Sequence, residues 1–281
     1  MHFKNKSFYI HIGFHKTAST SLQLLLNEFS KHQDTIRIIN PIDFRHYWEK
    51  RHVQKQNVIE LFNSVLNKHN TVFLSEENIS GETFEIFEQE RLYENLNHNL
   101  ISLKRTLPEA EVTLICFIRN MATFLPSIYA EALNWSPFQP FEKIYQGNIF
   151  QSWVPVIKDI ASSFPKAQIR VACYEDYKEV YERILQPLNI NKNGMHFDIN
   201  RVTNKSCSYQ AIKIHSCLSK ALPPKFHGLA FRQNRRIDIF SKRKYAPFAE
   251  NVILKMSKIY QNDKAVIEKM PNVEYVKPHL M

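Results

Sequence analysis

The chain is 281 residues long, enough for one large domain or two small ones, and its 44% hydrophobic and 23% charged residues exclude a disordered or fibrous polymer. Thirty-seven lysines and arginines against 27 acidic residues leave a formal net charge of +10, which suits an anionic partner: a nucleotide, a sulfated or phosphorylated glycan, nucleic acid or a membrane surface. Five glycines and thirteen prolines leave no flexible linker or low-complexity segment. No stretch approaches the ~20 apolar residues of a membrane span, and Met1 runs into an apolar strand after about seven residues, too few for a signal peptide. A cytoplasmic protein without an integral membrane segment is therefore expected. The four cysteines form no Cys-x-x-Cys pair and read as free thiols, and no metal is expected.

In chain order, Phe8-Tyr9-Ile10-His11-Ile12-Gly13 reads as an apolar strand ending in a short loop that carries Lys16. Leu22, Leu25, Leu26 and Phe29 then fall at i, i+3, i+4 and i+7 of a helix. Such a junction can hold a phosphate, because the first N–H groups of a helix lack partners inside it and the macrodipole is positive there. Hydroxyls at Thr17, Ser19, Thr20 and Ser21 add donors. An ATP or GTP loop of the G-x-x-x-x-G-K-[ST] type does not fit, since the loop's one glycine, Gly13, is misplaced for it.

Residues 35–39 are β-prone and 53–69 helix-compatible. Thr71-Val72-Phe73-Leu74 reads as a buried strand running into the polar Ser75-Glu76-Glu77-Asn78. Leu96, Leu100, Leu103 and Leu107 mark a helix stopped by Pro108. The nearly uninterrupted apolar run 112–118 predicts a central parallel strand covered on both faces. Arg119 follows it directly, and Ser127 lies eight residues on, in an expected helix. An arginine at the carboxyl end of a buried strand faces the crevice where open α/β sheets bind ligands, and a guanidinium suits a phosphate dianion. A helix over 153–164 and a strand over 168–173 continue the alternation. Beyond residue 208, helical stretches at 212–222 and 248–260 flank a cation-rich loop at 223–247, with no strand. The expectation is one α/β domain over 1–281: a core at 1–200 and a helical C-terminal extension at 201–281.

Lys16-Thr17-Ala18-Ser19-Thr20-Ser21-Leu22-Gln23 resembles the 5′-phosphosulfate loop of sulfotransferases that use 3′-phosphoadenosine 5′-phosphosulfate (PAPS), in its bacterial form Lys-Thr-Gly-Thr-Thr-Ser-Leu-Gln. Ala18 stands where that family has Gly, an exchange expected to be tolerated only if φ there is negative; Ser19 replaces Thr. Arg119, Ser127 and Tyr129 match the spacing of the family's 3′-phosphate motif, although Met121 replaces its usual Pro and Thr123 its usual Asp. Ser75-Glu76-Glu77-Asn78 is similar to its Ser-Ser-Glu-Asn. Fainter similarity covers 171–175, Arg201-Val202-Thr203-Asn204-Lys205-Ser206 and 248–251.

The resemblance implies a three-layer P-loop-like α/β fold with a central parallel sheet flanked by helices, and PAPS as co-substrate without a metal. It implies a nucleotide site of His15, Lys16, Thr17, Ala18, Ser19, Thr20, Ser21, Arg119 and Ser127. Lys16 would neutralise the leaving group, and Glu77, or second Glu76, would be the base; His15 is the weaker candidate for that role. The acceptor would be a hydroxyl of a glycan or glycolipid, with peripheral membrane contact left open and nucleic acid not expected. Trp48, Trp135 and Trp153 can stack on sugars or fill the core. The rival readings are a nucleotide or sugar kinase on the same fold, using ATP and Mg²⁺, and a non-enzymatic anion or nucleic-acid binder acting through the cations of 223–247.

Overall fold

The structure, a computed structural model, describes residues 2–32, 36–51, 53, 55–83, 85–88, 90–145, 150–188, 207–237 and 243–278. β1 (His2–Ile12) leads through α1 (Ser19–His32) to β2 (Ile36–Ile39). α2 (Pro41–Glu49) and α3 (Lys55–Lys68) lead to β3 (Thr71–Glu76), and α4 (Glu85–Glu88) and α5 (Leu96–Lys104) to β4 (Glu109–Ile118). α6 (Met121–Ala132), α7 (Phe141–Ile144) and α8 (Val154–Ser163) connect to β5 (Gln168–Cys173). α9 (Tyr177–Ile184), α10 (Tyr209–Ala221), α11 (His227–Ile237) and α12 (Glu250–Ile267) precede β6 (Val273–Val276).

The six strands form one sheet in the order β2-β3-β1-β4-β5-β6, and every neighbouring pair is parallel. This is the P-loop-like α/β arrangement, with helices on both faces. Alternation along the strands divides the core in two, as a strand's side chains must. Phe8, Ile10 and Ile12 of β1 and Leu114, Cys116 and Ile118 of β4 pack with the helices α2, α3, α5, α6, α8 and α12. Tyr9 and Phe73, with Ile115 and Phe117, pack instead with Leu22, Leu25, Leu26 and Phe29 of α1 and with Val180 and Ile184 of α9. The crossover from β1 runs toward β2 and that from β4 toward β5, so the sheet's switch point lies between β1 and β4. Open α/β sheets bind ligands at the carboxyl ends of the strands at such a point.

Two expectations about the last third need correction. Part of the 223–247 loop is helical: Pro223 and Pro224 start a short 3₁₀ turn, and α11 follows, burying His227, Phe231 and Asn234 on one side. Prolines there initiate a helix, since their fixed φ suits its first turn. A strand also closes the sheet, for Val273–Val276 pairs with Ile169–Ala172 of β5. The segment 201–206 lies outside the described residues. Trp48 and Trp153 are core residues, whereas Trp135 is exposed.

The α10–α11 pairing encloses His215, fully buried against Phe138, Phe231 and His227, with no hydrogen-bond partner for either ring nitrogen among the described residues. Burial, aided by His227, lowers its pKa to about 4. The fold therefore holds the neutral ring, and that stability is present above the unfolded value of about 6.5 and lost as pH falls toward 4. His215→Leu removes two unsatisfied atoms and this titration. The variant should match or exceed the parent at pH 7 and gain about 2 kcal/mol on it by pH 5 in urea melts.

Candidate functional site

Three loops meet at the carboxyl edge of the sheet. Ile12 of β1 lies in register with Glu76 of β3, and His11 with Ile115 of β4, so the loops after β1, β3 and β4 emerge side by side. Gly13 donates its N–H to the Glu76 carbonyl at 3.2 Å. A Cβ on Gly13 would stand 2.9 Å from Ser19 Oγ and 3.0 Å from Glu77 Cγ, so this glycine permits the close approach of the β1 loop to Glu77.

In the β1 loop, Lys16 and Ala18 both have left-handed backbone, with φ of 61° and 72°. The expectation of a negative φ at Ala18 is thus overturned: alanine itself adopts the conformation that glycine takes easily. Left-handed residues alternating with ordinary ones can turn N–H groups to one side as an anion-binding concavity; here the Thr17 N–H bonds the Phe14 carbonyl at 3.3 Å, and the N-terminus of α1 opens directly behind the loop. The conformation costs an L-residue about 1–2 kcal/mol. Ala18→Gly should leave thermal stability equal or raised, whereas Ala18→Val should lower it by at least about 1 kcal/mol, because a β-branched residue is a genuine outlier there; calorimetric melting of the two variants checks both.

The Thr17 hydroxyl is fully buried and donates to the Phe14 carbonyl, so it fastens the loop from within. Ser19 is buried; Ser21 is half-buried and Thr20 exposed in the first turn of α1. His15 is buried beneath the loop. Its backbone N–H donates to Tyr93 Oη at 3.1 Å and its ring stacks on Tyr93. Burial lowers its pKa to about 4, with Glu131 opposing and Arg45 and Lys16 adding to the effect. At neutral pH His15 is therefore an uncharged part of the loop. His11, four residues earlier, turns elsewhere: its Nδ1 bonds Ser75 Oγ at 2.8 Å, and burial depresses it to about 3.

Lys16 Nζ donates to Glu131 Oε2 of α6 at 3.3 Å, a partly exposed pair. The Lys16 carbonyl accepts from Arg119 Nη1 at 2.7 Å, which ties the β1 loop to the end of β4 across 103 residues. Arg119 is almost wholly buried. Its Nε donates to Thr123 Oγ1 at 3.1 Å, its guanidinium lies 4.3 Å from the centre of the Tyr174 ring, and its carbonyl accepts from Trp153 Nε1 at 2.7 Å. Burial pulls its pKa down against the opposing effects of Tyr174, Glu175 and Tyr260. Asn120 caps α6, accepting from Ala122 N–H at 3.0 Å. Ser127 is half-buried on that helix and is not a hydrogen-bond partner of Arg119.

Glu76 and Glu77 are distinguished by their surroundings. Glu76 is fully buried and takes a bidentate pair from Arg45 of α2, Nε to Oε1 at 2.9 Å and Nη2 to Oε2 at 3.1 Å, and its Oε1 also accepts from Asn78 N–H at 3.0 Å. Burial still lifts its pKa to about 7. Glu77 keeps its side chain 20% exposed, with one oxygen 3.6 Å from Arg45 Nη2. Burial raises its pKa too, partly offset by its own backbone N–H, Arg45, Ser19 and Gln23. Glu76 is thus held by Arg45 and the Asn78 N–H with no exposure, whereas Glu77 keeps part of its side chain exposed beside Gly13.

Arg45, Glu131, Tyr93 and Tyr174 were not singled out in the sequence. Glu131 had a usable signal, since it lies four residues after Ser127 and so on the same face of α6. Arg45 had none: it reaches Glu76 only through the packing of α2 on β3.

No family model matches this chain, and no curated protein matches it in sequence. Among solved structures, the fold is similar to a sulfotransferase from Alicyclobacillus acidocaldarius at 11% identity and a TM-score of 0.44, over 77% of this chain and 92% of that one. It is also similar to a shikimate kinase from Bacteroides thetaiotaomicron at 11% identity and a TM-score of 0.28, over 66% of this chain and 96% of the other. At these values neither likeness bears on chemistry. What the fold and the site define is a parallel α/β protein whose switch point carries a left-handed, lysine-bearing loop tied to Arg119.

Proposed function

We propose that the chain is a sulfotransferase that moves a sulfuryl group from PAPS to a hydroxyl of a glycan or glycolipid. The observation that carries this reading is the 2.7 Å hydrogen bond from Arg119 to the Lys16 carbonyl, which brings two cationic motifs to one switch point. Two separate cations suit a nucleotide with anions at both ends. In this reading Lys16 and the N-terminus of α1 take the 5′-phosphosulfate, and Arg119 with Ser127 takes the 3′-phosphate. Glu131 is the partner Lys16 leaves when the donor arrives. The acceptor oxygen attacks sulfur in line, its bond to sulfur forming as the bond from sulfur to the 5′-phosphate oxygen breaks. Glu77 accepts the hydroxyl proton, and 3′-phosphoadenosine 5′-phosphate departs with its new charge next to Lys16.

A kinase would place the hydroxyl after the loop lysine on Mg²⁺. Here that hydroxyl, on Thr17, is bonded to Phe14, which favours the metal-free reading. Incubation with PAPS carrying radiolabelled sulfur and a panel of glycans and glycolipids, in parallel with labelled ATP and Mg²⁺, tests the choice. Label should pass from PAPS to an acceptor; transfer from ATP alone would replace this reading with the kinase.

A further inference from the structure

The chain's charge is distributed very unevenly. Residues 199–249 hold eleven of the 37 lysines and arginines and one of the 27 acidic residues, so this stretch carries the whole net charge of +10 and the remainder is balanced. Its described parts are residues 207–237, which form the α10–α11 hairpin, and 243–249, and the connection between the two helices is both cationic and apolar. Lys220 and Lys225 are exposed there. So are large apolar side chains: Leu218 is 38% exposed, Phe226 45% and Leu229 50%, all within about one turn of the connection. Leu229 lies opposite the buried His227, Phe231 and Asn234, so α11 turns it outward while anchoring its other face. The first turns of α11 are held in place, where Gly228 packs against the Asn134 carbonyl and Arg232 donates to that same oxygen at 2.6 Å. Arg232 also lies 5.0 Å from the centre of the ring of Trp135, which is 73% exposed.

The geometry points to the tip of the α10–α11 hairpin as a docking site for an anionic lipid bilayer. Cations alone would serve any polyanion, but a soluble polyanion has no use for an exposed Leu, Phe, Leu and Trp. A bilayer takes both: its anionic headgroups attract the lysines, and its interface accepts leucine, phenylalanine and tryptophan. Among the described residues no helix is long and apolar enough to cross a membrane, so the contact is peripheral. Trp135 lies four residues after Glu131, the partner of Lys16, so docking would bring the lipid surface close to the cleft.

The test is sedimentation of the full chain with vesicles of phosphatidylcholine alone or with about 30% phosphatidylserine, at about 0.1 M salt. Binding should be at least about tenfold tighter to the anionic vesicles. Lys220→Glu/Lys225→Glu should weaken it by about 25-fold or more, at roughly fivefold per cation removed. Phe226→Ser/Leu229→Ser, which alters two exposed positions, should weaken it by about tenfold or more. Brominated lipid should quench tryptophan emission through Trp135, because Trp48 and Trp153 are buried. Failure to bind anionic vesicles, or binding that survives Phe226→Ser/Leu229→Ser, overturns the proposal. Equal affinity for duplex DNA that this variant retains would instead assign the surface to nucleic acid.

Discussion

Lys16→Met is expected to lower the transfer rate by about 10² to 10³, the usual effect of removing a preorganised group that meets developing charge. Charge builds on the 5′-phosphate oxygen as its bond to sulfur breaks, and in the proposed arrangement Lys16 is the full positive charge at that point. The fold should hardly notice the change. In the structure Lys16 pairs with Glu131 at 3.3 Å while partly exposed, and such a pair contributes at most about 1 kcal/mol. Methionine keeps the unbranched apolar stem and removes the charge, so loss of activity with an unchanged melting temperature would separate charge from packing. Arginine at this position should restore only part of the rate, because the wider guanidinium must fit a loop whose residue 16 is already in the left-handed region.

Glu77→Gln is expected to lower kcat by about 10² to 10⁴ and to leave nucleotide binding intact, since only the proton acceptor is lost. Burial raises the Glu77 pKa, so the acid limb of the parent's pH–rate profile should lie above the ordinary carboxylate range and vanish in the variant. Glu76→Gln should behave differently. Glu76 is fully buried with two donors from Arg45 and one from Asn78, and weakening those bonds should cost about 1–3 kcal/mol of stability. Full transfer by Glu77→Gln, together with loss of transfer in a well-folded Glu76→Gln protein, would move the base one residue.

The sheet was legible in the sequence wherever burial on both faces left an apolar run, as in β3 and β4. β6 was not, because it is a four-residue strand with only Val276 buried and makes sense only once Ile169–Ala172 offers an edge to pair with. α11 was obscured by Pro223, Pro224 and its cations, signals that suit a loop equally well until His215 and Phe231 are seen to pack together. The cleft divides in the same way. Lys16 and Arg119 stood out because each follows an apolar strand, and parallel pairing of β1 with β4 brings them together. Arg45 and Tyr174 act through tertiary contacts that no local pattern encodes. Ala18 misled for a physical reason: propensity gives the cost of a left-handed alanine, but the surrounding loop decides whether the fold bears it.

The site is proposed to grip a nucleotide by phosphates at both ends, and calorimetric titration with 3′-phosphoadenosine 5′-phosphate tests this most directly. The compound should bind the parent protein well below millimolar concentration and far more tightly than AMP, and Arg119→Met should erase most of that difference. No binding at millimolar concentration, or equal affinity for the compound and AMP in the parent, would contradict the account.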